Sequence, residues 1–131
     1  MDPIFLEPEE VLRIHRDQIR RYGGSPGIGN PGAGLLDSAV ATPKATFGGD
    51  FLHKDIFEMA AAYLFHIVQD HPFIDGNKRT GAAAAVVFLQ LNGWMFNLAE
   101  GEFESCVRYV AEGRLGKEQL AEIFRNNCTR S

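Results

Sequence analysis

Little in this 131-residue chain could cross-link it, anchor it in a bilayer or draw it to nucleic acid. Its two cysteines, Cys106 and Cys128, form no Cys-x-x-Cys pair, which argues against a disulfide framework or a zinc knuckle. No apolar run approaches the roughly 20 residues that span a membrane. No secretory h-region is visible, so the expected setting is the cytoplasm, with reduced thiols. Basic charge is in deficit: 13 Lys and Arg against 17 Asp and Glu leave a net charge of −4. Nucleic acid is therefore not expected as the main partner, since no basic arm or stripe is present to displace its counterions. Strictly alternating apolar and polar runs are missing too, so extended strands are not expected. Asn127-Cys128-Thr129 fits a glycosylation sequon but means nothing without a secretory signal.

What is present is an ordinary globular composition, 45% hydrophobic and 23% charged, expected to form one domain over 1–131. Val11, Leu12, His15, Ile19 and Tyr22 recur at helical spacing and predict a helix from Pro8 to Tyr22, stopped by Gly23-Gly24. Ser25 to Gly34 is a loop by composition. Its Gly27-x-Gly29-x-x-Gly32 superficially matches the dinucleotide fingerprint. No strand precedes it, and Pro31 occupies the place where a phosphate-binding helix should open, so it reads as a stiffened connector.

A short helix is expected from Leu35 to Ala41, closed by Pro43, and Lys44 to Lys54 reads as a loop or a small β-hairpin. The segments Asp55 to Gln69 and Asn77 to Asn92 carry apolar residues almost all round, so they are expected to lie centrally. Gly81 and the run Ala82 to Ala85 would let a neighbouring backbone approach closely. Two further helices are predicted over Glu100 to Glu112 and Lys117 to Asn127. The expected fold class is all-α, with about six helices around a central pair.

Between the two central segments stands His71-Pro72-Phe73-Ile74-Asp75-Gly76-Asn77-Lys78-Arg79. It crowds an imidazole, a carboxylate, an amide and two cations beside a helix start, which suits a phosphate handler. A helix N-terminus offers unpaired N–H groups and a positive dipole end, and glycine allows close backbone approach. Lys78 and Arg79 oppose that dipole, so an anion is expected to offset the cost. Asp75 fits either a helix N-cap or a ligand for a hard divalent cation. His71 is either a satisfied loop histidine or, stiffened by Pro72 and anchored through Phe73, a base held beside the helix mouth. With His66 it cannot complete a zinc site, because the two share no helix face and further ligands are missing.

This nine-residue run resembles the signature of the Fic/Doc superfamily, and in particular its death-on-curing (Doc) toxin branch. Arg21-Tyr22-Gly23-Gly24, Pro26-Gly27, Pro31-Gly32, Phe88-Leu89 and Asn92-Gly93 extend the similarity through most of the chain. The resemblance implies an all-α Fic fold, with His71 as catalytic base, Phe73 as loop anchor and Asp75 as magnesium ligand. Gly76 and Asn77 would form the anion hole, and Lys78 and Arg79 would meet phosphate oxygens of ATP. The segment Lys44 to Lys54 would take the place of the target-docking flap.

AMP-transferring Fic enzymes resemble HxFx(D/E)GNGRxxR. Here Lys78 stands in place of the second glycine and Ala82 in place of the last arginine. Both changes match the Doc branch, which resembles protein kinases that pass the γ-phosphoryl group of ATP to elongation factor Tu. Gly76 stands where that branch's pattern has alanine, a departure toward AMP transfer. The self-inhibitory pattern [S/T]xxxE[G/N] is absent from the sequence, so an antitoxin acting in trans is implied. The rival expectations are an AMP transferase and a non-catalytic regulator of the same fold.

Overall fold

The computed structural model describes residues 2–131. Helix α1, Pro8–Tyr22, opens with proline in its first turn, and Glu10 Oε1 accepts the Glu7 N–H at 2.9 Å. Acidic Glu9 and Glu10 at its start, with Arg20 and Arg21 at its end, complement the helix dipole. Helix α2 covers Ala33–Ala41 and runs into a 3-10 turn at Thr42–Lys44. It begins two residues before the expected Leu35.

Of the two alternatives for Lys44 to Lys54, the hairpin forms. Strands β1 (Thr46–Phe47) and β2 (Asp50–Phe51) pair antiparallel. They turn through Gly48 and Gly49, both at positive φ, as a tight hairpin turn requires. Helix α3, Ile56–Asp70, is capped by Asp55, whose Oδ1 accepts the Glu58 N–H at 2.8 Å. Helix α4 spans Asn77–Leu91, and α5 and α6 span Glu100–Ala111 and Lys117–Asn126. The six helices match the expected all-α architecture.

A second strand pair was not expected. Trp94–Phe96 (β3) and Cys128–Arg130 (β4) form a second antiparallel ribbon, with Met95 opposite Thr129. Three-residue strands are too short to show alternation, and their pairing joins segments far apart in sequence.

Helix α3 lies at the centre and packs against α2, α4, α5 and α6. Met59 to Leu64, Ile67 and Val68 are buried, as expected for a helix apolar nearly all round. Where α3 meets α4, Gly81 is buried in close contact: a Cβ there would stand 2.9 Å from Val68 and 3.2 Å from the Leu64 carbonyl. This close crossing fixes the end of α3 relative to the start of α4, and the nine-residue motif bridges the two. Among the described residues, no helix is long and apolar enough to cross a membrane.

Candidate active site

Helix α3 stops at His71, whose backbone is left-handed at φ 55, ψ 54. It is the one non-glycine at positive φ among the described residues. Pro72 cannot continue the helix, and Phe73 and Asn77 hold the turn in place. Phe73 is buried at 2% exposure and anchors the loop in the core. The Asn77 side chain brackets its peptide: Oδ1 accepts the Phe73 N–H at 3.0 Å, and Nδ2 donates to the Phe73 carbonyl at 3.0 Å. Those two bonds fix which way the amide points. The other Nδ2 hydrogen therefore faces His71 Nδ1 at 2.9 Å. Nδ1 is the acceptor, and a neutral ring in this state carries its hydrogen on Nε2.

The residue capping α4 is Gly76, at φ 78, and not Asp75. Of the two expectations for Asp75, the cap is excluded. Its carboxylate is exposed and held from two sides: Oδ1 accepts the Gly76 N–H at 2.8 Å, and Oδ2 accepts the Ser25 N–H at 3.2 Å. These two donors, Ser25 first, keep its pKa below the ordinary carboxylate value. Each oxygen accepts one hydrogen bond from the protein, which leaves lone pairs for a hard cation. Among the described residues no group of three or more His, Cys, Asp or Glu converges as a metal cage. An ion at Asp75 would take its other ligands from phosphate and water, which suits magnesium.

The Gly76 N–H is spent on Asp75, so the helix mouth differs from a row of four open donors. The N–H groups of Asn77, Lys78 and Arg79, in the first turn of α4, precede the first intrahelical bond, from the Thr80 N–H to the Gly76 carbonyl. The Lys78 side chain is exposed. Arg79 is half-buried; it donates to the Gly23 carbonyl at 2.8 Å and lies 5.6 Å from the Tyr22 ring centroid. The motif thus brings His71, Asp75, Gly76 and Arg79 to one helix mouth, while the Asn77 side chain turns inward at 3% exposure and serves the loop.

The connector from Gly23 to Asn30 forms a second wall that sequence reasoning missed. The Gly29 N–H donates to the Pro72 carbonyl at 2.9 Å, and the Ile74 N–H donates to the Gly27 carbonyl at 3.1 Å. Gly29 is therefore committed to the loop, consistent with rejecting the dinucleotide fingerprint. Gly24, at φ +115, approaches so closely that a Cβ would stand 2.7 Å from Asp75 Oδ2. The cues in the sequence were Tyr22-Gly23-Gly24 and Pro26-Gly27.

The profile of the Fic/DOC family matches residues 5–89 of this chain. "Protein kinase doc" of Escherichia phage P1 is 38% identical over 125 residues, covering 92% of both chains. "Toxin Doc" of Mycolicibacterium smegmatis (strain ATCC 700084 / mc(2)155) is 48% identical over 60 residues, 46% of each. The nine-residue motif lies within the residues that the family profile matches, and the chain belongs to the Fic/Doc family.

Proposed function

We propose that this protein is the toxin of a toxin–antitoxin pair, transferring the γ-phosphoryl group of Mg-ATP to a hydroxyl of a translation protein, elongation factor Tu by resemblance. The observation that carries the proposal is the α4 mouth, where the N–H groups of Asn77, Lys78 and Arg79 precede the first intrahelical bond, with Asp75 held on the Gly76 N–H and His71 on the Asn77 side chain. The relative named as a protein kinase supports the same reading. Because the target works in the cytoplasm, the toxin would act there.

In this reading the N–H groups of Asn77, Lys78 and Arg79 hold phosphate oxygens, and Lys78 and Arg79 balance their charge. Asp75 would hold magnesium, which neutralises charge on the phosphates. The protein hydroxyl oxygen attacks the γ-phosphorus, the bond to the β–γ bridging oxygen breaks, and ADP leaves. His71 takes the hydroxyl proton. Since Nδ1 accepts from Asn77 at rest, that step requires a half-turn of the exposed ring or a shift of its hydrogen from Nε2 to Nδ1. Either change breaks the bond to Asn77.

Intact mass spectrometry of elongation factor Tu incubated with the protein and Mg-ATP tests the proposal. A gain of one phosphate is expected, and folded His71→Ala should lose about 10²–10⁴-fold in rate. A gain of one AMP would instead show that Gly76 outweighs Lys78 in setting how the nucleotide lies.

A further inference from the structure

We infer that His15, on α1, is a positioning residue for the site, an inference that rests on the phosphate-handling reading above. His15 is buried at 2% exposure and shares the inward face of α1 with Val11. Its ring lies flat on Phe73, with centroids 3.8 Å apart and planes 5° from parallel. Its Nε2 stands 2.8 Å from the Asp75 carbonyl oxygen. A carbonyl only accepts, so Nε2 carries a hydrogen and donates it.

One ring therefore grips the loop at two points, the anchor side chain and the carbonyl just before Gly76. Fixing that carbonyl fixes the plane of the Asp75–Gly76 peptide, and with it the direction of the Gly76 N–H. The same N–H holds Asp75 Oδ1. The carboxylate orientation and the first open donors of α4 thus depend on a histidine 60 residues earlier. A hydrophobic side chain would fill this space as well but would leave the Asp75 carbonyl without its donor.

Two substitutions separate the hydrogen bond from the packing. His15→Phe keeps a ring against Phe73 and removes the donor, whereas His15→Gln keeps a donor and removes the ring. Val11→Ala, on the same buried face, is the packing control. In the ligand-free protein, amide exchange at Phe73 and Ile74 should accelerate in His15→Phe and stay near wild type in Val11→Ala. Transfer from Mg-ATP by folded His15→Phe should fall about 10–100-fold in kcat, with KM for the protein substrate little changed. His15→Gln should recover most of that loss. A folded His15→Phe protein with wild-type loop exchange and kcat overturns the inference, as does equal loss in all three variants. Should the wild-type protein transfer no group at all, the phosphotransfer reading falls, and the exchange measurement alone still decides the role of His15.

Discussion

At the scale of single residues, the site depends on backbone conformations that few side chains tolerate. His71 adopts φ 55 without being glycine, at a cost of order 1–3 kcal/mol that its surroundings must offset. The bond from Asn77, itself locked onto the Phe73 peptide, is the visible compensation. Gly24 is the more exacting position, because its φ of +115 and its approach to Asp75 both exclude a Cβ. Gly24→Ala is expected to displace the Asp75 carboxylate from the Ser25 N–H and to destabilise the protein by about 1–3 kcal/mol. Activity should then require more magnesium. Calorimetry and a magnesium titration of transfer rate check this; an unchanged titration would mean that Asp75 needs no fixed orientation.

Between elements, the α3–α4 crossing carries the geometry on to the motif. Gly81 lets the helices meet where Val68 and the Leu64 backbone leave no space for a methyl group. Gly81→Ala should cost about 1–3 kcal/mol by overpacking, read as a shift in the denaturation midpoint. On the opposite side, Lys117 of α6 donates to His66 Nε2 of α3 at 3.0 Å and lies 3.4 Å from His53 Nε2. Burial first, then Lys117 and His53, hold the His66 pKa down to about 4, from an ordinary 6.5. A histidine shifted downward favours the folded state fully above pH 6.5, and that contribution is lost as pH falls from 6.5 toward 4. Thermal stability should therefore decline across this window. His66→Gln should flatten the decline, and an unaltered slope would place the acid sensitivity elsewhere.

For the whole molecule, the proposed toxin activity predicts a phenotype. Expression of the wild-type chain alone should arrest growth, and co-expression with a cognate antitoxin should restore it. Plating efficiency under both conditions is the measurement, and vigorous growth of cells making active-site-intact protein alone would count heavily against the toxin reading. The sequence lacks the family's self-inhibitory pattern, so under the proposed toxin reading restraint would come from another chain. A partner helix in an apolar groove beside the site is one familiar way of supplying it.

The amino-acid sequence by itself determined the six helices and the chemistry at their central junction. Helical periodicity is local, and the nine motif residues are contiguous, so His71, Asp75, Gly76 and Arg79 need only one loop to be brought together. For Lys44 to Lys54 the sequence left loop and hairpin open, and strand pairing across Gly48 and Gly49 decided for the hairpin. Tertiary structure alone decided which donors remain open at the helix mouth, because that depends on where the Asp75 carboxylate turns. It placed the Ser25 N–H on that carboxylate across 50 residues and His15 on the adjoining carbonyl across 60. In the sequence, His15 was indistinguishable from the apolar stripe of α1, since burial looks alike whether a side chain fills space or donates a hydrogen bond. The β3–β4 ribbon was hidden for a related reason: strands of three residues are specified by their pairing partner, and that partner lies at the far end of the chain.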